Sequence, residues 1–206
     1  MSAPPLSDRI TDEIIHTTLE DNRRVCIRSI RPTDGLRMRK GIEQLSAQSR
    51  YLRFFSPQPM PPNSVIERLI DADGHRHLAW GAIDLDNPAH PAVGAVHAVR
   101  DDTLDDRAEF SVAVVDAYHG LGLARMLIAI LLVNCRLENI ASLDVQVLSE
   151  NRAAKRLISS LEARRGKVEY SVTDYVLDTD VALEKLRTEV NTPGLDEVFA
   201  SLAKYL

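Results

Sequence analysis

The sequence has few of the features that mark disulfide-rich, secreted or membrane-spanning proteins. Its 206 residues include two cysteines, Cys26 and Cys135, which lie alone inside apolar segments. This usage excludes a disulfide framework and a CxxC motif, and it predicts a protein of the reducing cytoplasm. The longest apolar run, Met126 to Val133, is far below the roughly 20 residues that span a bilayer. Residues 1–20 lack the apolar centre of a signal peptide, so we expect neither a membrane anchor nor secretion.

An excess of positive charge is also missing. The chain has 25 lysine and arginine residues against 30 aspartate and glutamate residues, which gives a net charge of −5, and the two signs are interspersed. Because nucleic-acid binding requires a basic face, we expect no nucleic-acid partner. With 45% hydrophobic residues, a chain of this length can bury the core of one α/β domain.

Hydrophobic periodicity and capping residues predict the first half of the fold. They indicate a strand at 24–30, helices at 34–44, 46–55 and 63–72, and strands at 77–85 and 92–100. Pro32 follows the first strand, and a proline cannot donate to a sheet ladder. Asp86-Asn87-Pro88 separates the last two strands, which predicts an antiparallel hairpin.

The second half alternates strands and helices before it ends in two short helices. The pattern predicts a strand at 108–115, a helix at 121–139, a strand at 143–148, a helix at 151–164, strands at 167–173 and 175–178, and helices at 181–190 and 195–206. Residues 191–194, Asn-Thr-Pro-Gly, break the helical pattern between the last two. We expect this C-terminal part to pack on the core or to contact a partner.

The segment from Ala108 to Arg125 carries the strongest chemical signal, because a strand turns there sharply into a helix. Small residues at positions 120, 122 and 124 allow backbone N–H groups to approach a ligand closely, and the helix N-terminus adds a positive dipole end. This combination predicts an anion site, although glycines in a turn can also serve backbone geometry alone. The preceding antiparallel hairpin disfavours a Rossmann unit, and no Gly-Lys-Ser/Thr ending follows.

Three motifs resemble the GNAT superfamily of N-acetyltransferases, and the two at 119–124 and 149–154 occur in the order that the family has. His119 to Ala124 resembles the family's phosphate loop, Gln/Arg-x-x-Gly-x-Gly/Ala, with histidine in the first place. Ser149 to Ala154 is similar to the later element in which an asparagine opens a helix. Leu45 to Phe55, Leu-Ser-x-x-Ser-Arg-Tyr-Leu-Arg-Phe-Phe, resembles the acetyltransferase domain of bacterial protein-lysine acetyltransferases.

The resemblance implies an α/β (α+β) fold with a mixed, mostly antiparallel central sheet flanked by helices. It implies a catalytic domain at 22–180, with an N-terminal extension at 1–21 and a helical extension at 181–206 packed on the same domain. Acetyl-CoA is then the co-substrate, and no metal is expected. The implied contacts are a strand bulge at Val112, Ala113 and Val114 for the pantetheine, Asn151 for the same arm, and a pyrophosphate loop of His119, Gly120, Leu121, Gly122, Leu123, Ala124 and Arg125.

Glu109 is the candidate general base, because it is the one carboxylate inside the apolar strand that leads into the loop. We expect burial to raise its pKa towards 7, and similar lysine acetyltransferases carry the base at this position. The alternative is a solvent-facing residue paired with Arg107. The general acid is open, since Ile158 stands where many relatives have tyrosine, and Tyr170 and Tyr175 are the candidates to replace it.

The acceptor is expected to be a primary amine, with a protein lysine as the first choice. Four aspartates between Asp101 and Asp106 could attract a cationic amine, although a solvated turn explains them too. A small-amine acetyltransferase and a catalytically silent acyl-CoA sensor are the alternatives, and a homodimer is open. His75 and His77 flank a turn without metal-ligand spacing, so we expect no metal there.

Overall fold

The computed structural model describes residues 9–189, 192 and 194–206. Its centre is one eight-stranded sheet in the order β1-β2-β3-β4-β5-β6-β8-β7, in which β5 and β6 are parallel and every other neighbouring pair is antiparallel. The strands are β1 Ile14–Thr18, β2 Arg24–Ser29, β3 His77–Asp84, β4 Ala92–Arg100, β5 Arg107–Val114, β6 Ser142–Leu148, β7 Arg164–Glu169 and β8 Val172–Asp178. The mixed, mostly antiparallel sheet is the one expected.

Within the described part of the chain, seven α-helices with both ends defined cover the sheet. They are α1 Gly35–Gln44, α2 Ala47–Phe54, α3 Asn63–Ile70, α4 Leu123–Leu137, α5 Arg152–Ser160, α6 Thr179–Arg187 and α7 Leu195–Leu202. Helix α4 is the central core element, since eleven of its fifteen residues are buried. Its one buried polar side chain, Asn134, accepts a hydrogen bond of 3.1 Å from the indole N–H of Trp80. None of the described helices is long and apolar enough to cross a membrane.

Two predictions about the strands are wrong. The first strand is β1, not the segment at 24–30, which is the second. The pattern of β1 is hard to see because apolar and polar residues do not alternate along it: the exposed face carries Ile14 and the buried face carries Thr17. The last hairpin turns at Tyr170 and Ser171, with φ of 45° and 69°, and not after Thr173. Positive φ at both positions fits a two-residue turn that the sequence signals only weakly without Asn-Gly.

The two C-terminal helices pack against α4. Helix α7 buries Leu195, Val198 and Leu202 and also contacts β1. The hydroxyl of Tyr205 donates to Glu13 over 2.7 Å, which ties the C-terminal end to the residues before β1. Of the predicted helix break at 191–194, residues 191 and 193 lie outside the described residues, as does residue 190.

Candidate active site

Strand β5 leaves its parallel neighbour halfway along its length. It pairs with β6 at Arg107, Ala108 and Glu109 and then makes no further pair with it among the described residues. Pairing with β4 continues one to one from Ala108 to Val114. The two strands therefore open into a gap beside residues 110–114. The expected bulge at Val112 to Val114 is wrong, because this register has no shift.

Backbone groups of β5 face this gap. The N–H of Val115 donates to Val93 over 2.8 Å, and in an antiparallel ladder the bonded residues alternate. Val112 and Val114 therefore point their backbone groups away from β4, whereas those of Ala113 belong to the ladder. The Nε2–H of His119 donates to the Val114 carbonyl over 2.8 Å. The N–H and carbonyl groups of Val112 can therefore form hydrogen bonds with an extended ligand in the gap.

The loop after β5 presents a row of backbone donors. None of the described residues accepts a hydrogen bond from the five consecutive N–H groups of 120–124, whereas the next two N–H groups donate to the Gly122 carbonyl. Gly120 and Gly122 have φ of 75° and 84°, a conformation that favours glycine. A Cβ at Gly120 would meet nothing within 4 Å. Helix α4 begins at Leu123, so its N-terminal dipole adds to the attraction for an anion.

Glu189 and Thr192, which follow α6, lie against the other side of this loop, a contact that the sequence did not predict. A Cβ on Gly122 would lie 2.9 Å from Cγ2 of Thr192. The Glu189 carboxylate lies 2.6 Å from Nε of Arg125. Arg125 is thus engaged by an acidic side chain at the start of α4, while the side chain of Leu123 is buried in the core.

Glu109 lies on the face of β5 that also carries Ser111. The expectation that it is buried is wrong, because its side chain is exposed to solvent. Arg107 does not pair with it, since Arg107 contacts Asp144 on β6. The carboxylate is therefore at the mouth of the gap and open to an incoming amine.

The serines of the Leu45 to Phe55 motif anchor α2 to the segment that precedes the loop. Asp116 accepts hydrogen bonds from the Ser46 N–H at 2.9 Å, the Ser46 hydroxyl at 2.7 Å and the Ser49 hydroxyl at 2.7 Å. Burial by itself raises the pKa of Asp116, but these bonds outweigh it and hold the pKa at about 2. One turn later in α2, the guanidinium of Arg53 donates a hydrogen bond to the Ser111 hydroxyl on β5, with 2.8 Å between nitrogen and oxygen.

A histidine pair lies on the same face of the sheet. His97 is buried opposite Ser111, and its Nδ1 is 3.0 Å from Nε2 of His77. Burial lowers the pKa of His97 well below its usual value, and the charges of Arg53 and His77 act in the same direction. We infer that the buried ring of His97 is neutral at pH 7.

Asn151 caps α5, as the asparagine motif predicts. Its side-chain oxygen accepts from the Ala154 N–H over 3.0 Å, which leaves its amide N–H₂ for other contacts. The tyrosines named as candidate acids lie in contrasting places: Tyr170 is 99% exposed at the tip of the last hairpin and Tyr175 is 6% exposed in the core. Ile158 is also buried.

The turn before β3 is held by the carboxylate of Asp73. The side chain of Asp73 accepts hydrogen bonds from three backbone N–H groups, those of His75, Arg76 and His77, at 2.8–2.9 Å. Within residues 9–189, 192 and 194–206, no group of three histidine, cysteine or acidic side chains could hold a metal ion.

Comparison with known proteins agrees with this geometry. Residues 44–161, more than half of the chain, match the model of the acetyltransferase (GNAT) family. The chain is 24% identical to Acetyltransferase Pat of Mycolicibacterium smegmatis over 172 residues, which cover 84% of this chain and 47% of that protein. It therefore spans about half the length of this relative. It is 27% identical to Acetyltransferase PA5475 of Pseudomonas aeruginosa over 144 residues, which cover 70% of this chain and 77% of that one.

A solved structure shows the same fold. The GNAT domain of S. lividans PAT superposes with a TM-score of 0.73 at 22% identity, over 86% of this chain and 99% of that one. Acetyltransferases of this family use acetyl-CoA as co-substrate, and the N–H groups at 120–124, which have no acceptor in the described part of the chain, fit its pyrophosphate. The chain belongs to the GNAT acetyltransferase family.

Proposed function

We propose that this protein is an N-acetyltransferase that moves the acetyl group of acetyl-CoA to a primary amine, with a protein lysine as the acceptor. The observation that carries the proposal is the arrangement at the end of β5. Five N–H groups at 120–124, which have no acceptor among the described residues, precede a gap lined by the backbone of Val112, and Glu109 lies at the mouth of that gap. The carboxylate, the groove and the anion site thus lie within the sixteen residues 109–124.

Each part has a chemical task in direct acyl transfer. The loop binds the pyrophosphate, and the backbone N–H of Val112 donates to the pantetheine arm or to the thioester oxygen as negative charge develops there. The Glu109 carboxylate accepts a proton from the substrate ammonium, directly or through a water molecule, which leaves a neutral amine. The amine nitrogen then bonds to the thioester carbon and the carbon–sulfur bond breaks. The second proton that the nitrogen loses passes to the thiolate, which leaves as coenzyme A, and Glu109 releases its proton to water.

The cofactor site can be tested at Gly120. This position accepts a side chain without a clash, unlike Gly122, where Thr192 is too close. Asparagine and aspartate both tolerate positive φ and have the same shape, so they form a matched pair. We expect Gly120→Asn to bind acetyl-CoA almost normally and Gly120→Asp to bind at least tenfold more weakly in calorimetry. Equal affinity of the two variants would contradict a phosphate contact at this loop.

The role of Glu109 requires a separate test. Glu109→Gln should lower the rate of acetyl transfer by a factor of about 10² to 10⁴ and leave the dissociation constant of acetyl-CoA unchanged. Glu169→Gln, on the exposed strand β7, is the control. A rate equal to that of the wild type would remove Glu109 from the mechanism. Binding of acetyl-CoA without turnover on any amine would support a silent sensor instead.

The choice of a protein lysine rests on the resemblance of residues 45–55 and on local charge. The Asp101 carboxylate holds the turn by accepting hydrogen bonds from the N–H and the hydroxyl of Thr103, and Asp102 contacts Arg76. Asp105 and Asp106 are exposed near Glu109 and can attract an ammonium group. Acetylation of a lysine peptide at a higher kcat/KM than spermidine would support this acceptor, and the reverse order would favour a small amine.

The same proposal covers organisation and location. Residues 22–180 would form the catalytic unit, with 1–21 and 181–206 as extensions, and expression of 22–180 alone should yield a folded but less stable protein.

The free thiols of Cys26 and Cys135 are both buried, which fits a cytoplasmic protein and can be checked by cell fractionation. A homodimer is supported by the fully exposed edge strand β7. Light scattering at the mass of one chain would oppose the dimer.

A further inference from the structure

The guanidinium of Arg53 is held at the reaction side of β5 without a carboxylate beside it. Its described polar contact is the hydrogen bond of 2.8 Å to the Ser111 hydroxyl, and the guanidinium also lies 5.1 Å from the ring centre of Phe54. Burial lowers the pKa of Arg53, and the charge of Glu109 opposes that shift from beyond ion-pairing distance. Among the described residues, no carboxylate lies within 4 Å of it.

Three other partly buried arginines are neutralised by carboxylates. Arg28 lies 2.7 Å from Asp34, Arg100 lies 3.5 Å from Glu138, and Arg125 lies 2.6 Å from Glu189. Others, such as Arg50 and Arg136, donate to backbone carbonyl groups. An arginine stays charged in proteins, so its removal from water is costly unless an anion compensates for it. Arg53 has neither kind of partner among the described residues, and it lies beside the candidate base.

The position of Arg53 separates it from the site for the phosphates. Ser111 is two residues from Glu109 and lies on the same face of β5, because side chains alternate along a strand. The loop that would bind the pyrophosphate begins beyond Val114, roughly 10 Å further along the strand. The phosphates therefore cannot be the anion that Arg53 meets. A ligand group that reaches Arg53 must come from the reacting end of the donor or from the acceptor.

We propose that Arg53, held by Ser111, forms a subsite for a carboxylate carried a few atoms from the reacting carbonyl or amine. The subsite rests on the acyl-transfer site of the proposed function, and it changes one of the two substrates proposed there. The carboxylate has two possible sources. One is the far end of a dicarboxylic acyl group such as succinyl, and the other is the α-carboxylate of an amino acid acceptor.

The geometry of the guanidinium favours this ligand. Its planar fork carries five N–H donors, of which Ser111 uses one, and two parallel donors match the two oxygens of a carboxylate. The anchoring of α2 by Asp116 fixes the turn from which Arg53 extends. The donor fork is therefore presented in a fixed place, which a specific anion subsite requires.

The donor source is tested with three thioesters and the full chain. Succinyl-CoA carries the carboxylate, and butyryl-CoA has the same number of acyl carbons without the charge. Acetyl-CoA measures binding to the part of the site that all three thioesters share. We expect succinyl-CoA to bind the wild type about tenfold more tightly than butyryl-CoA in calorimetry. Arg53→Gln should abolish that ratio, Arg53→Lys should keep part of it, and Arg68→Gln, on the exposed side of α3, should leave it unchanged.

The acceptor source is tested by acetylation of L-amino acids and their carboxamides, which differ in the α-carboxylate alone. If this source is correct, kcat/KM for the amino acids should exceed that for the amides about tenfold, and Arg53→Gln should remove the difference. Ser111→Ala should reduce the preference in whichever arm shows it, because the guanidinium loses its anchor. Ratios within one variant cancel a general loss of folded protein, and thermal melting checks that loss directly.

Each outcome decides the inference. A carboxylate preference in either arm that Arg53→Gln removes supports it and identifies the source. Retained binding of acetyl-CoA with no carboxylate preference in both arms, or with a preference that Arg53→Gln leaves intact, overturns the subsite alone. Failure of the intact chain to bind any of the three thioesters overturns the proposed function, and the subsite with it.

Discussion

The carboxylate of Asp116 accepts hydrogen bonds from both the N–H and the hydroxyl of Ser46, at 2.9 and 2.7 Å. These bonds join the start of α2 to the segment between β5 and the phosphate loop, across 70 positions of sequence. Asp116 also accepts from Ser49, so one side chain connects the motif of residues 45–55 to the cofactor site. The segment that precedes the phosphate loop is thereby joined by hydrogen bonds to the helix that carries Arg53.

Replacement of Asp116 should weaken this connection. We expect Asp116→Ala to lower the free energy of unfolding by about 1–2 kcal/mol, because several hydrogen bonds are lost but solvent screens the partly exposed carboxylate. Ser49→Ala, which removes one of those bonds, should cost less. Urea denaturation measures both effects. An unfolding free energy equal to that of the wild type would show that water replaces the lost bonds fully.

Acid should destabilise the protein through Asp34. Burial raises the pKa of this carboxyl, but hydrogen bonds from Arg28, Arg31 and Arg37 outweigh it and hold the pKa at about 2. Since the folded pKa lies below the unfolded value of about 3.9, the stabilisation is present above pH 4 and is lost as the pH falls towards 2. We expect Asp34→Asn to be less stable at neutral pH by on the order of 1–2 kcal/mol.

The Asp34→Asn variant should also lose less stability than the wild type between pH 4 and pH 2. Chemical denaturation at several pH values measures the slope for both proteins. Asp12→Asn is the control, because Asp12 has no described ion pair. Parallel slopes in the wild type and Asp34→Asn would show that other carboxyl groups dominate acid unfolding.

His97 should remain neutral well into the acid range. Its folded pKa is lowered, so protons bind preferentially to the unfolded chain below pH 6.5 and stability declines as the pH falls. We expect the ring signals of His97 in NMR spectra to stay constant between pH 8 and pH 6, with assignment by His97→Gln. The variant should also show a smaller loss of stability between pH 7 and pH 5. A His97 titration near pH 6.5 would contradict its burial beside Arg53.

Glu189 should oppose coenzyme A binding. Its carboxylate pairs with Arg125 in the first turn of α4, close to the N–H groups that would bind the pyrophosphate. We expect Glu189→Gln to bind coenzyme A about two- to fivefold more tightly, because a negative charge is removed and a guanidinium is released. Glu184→Gln, on the exposed side of α6, is the control for calorimetry. Weaker binding by Glu189→Gln would indicate that this ion pair maintains the shape of the loop.

The amino-acid sequence by itself determined the local parts of this protein. The glycines at 120 and 122 mark the turn into α4 because few other residues adopt positive φ, and Ser46 marks the start of α2 because its hydroxyl caps the helix. The resemblance of these motifs to the GNAT family rests on the same local chemistry. The order of the central strands and helices followed from periodicity, which also depends on neighbouring residues.

Only the tertiary structure decided where the polar side chains meet. The exposure of Glu109 depends on how far α2 covers the face of β5 that carries Glu109 and Ser111, and a strand pattern does not show which helix covers a face. The contacts of Arg53 with Ser111 and of Glu189 with Arg125 join residues 58 and 64 positions apart. Such contacts are set by how sheet and helices pack, because hydrogen bonds and ion pairs depend on distances in space and not on separation along the chain.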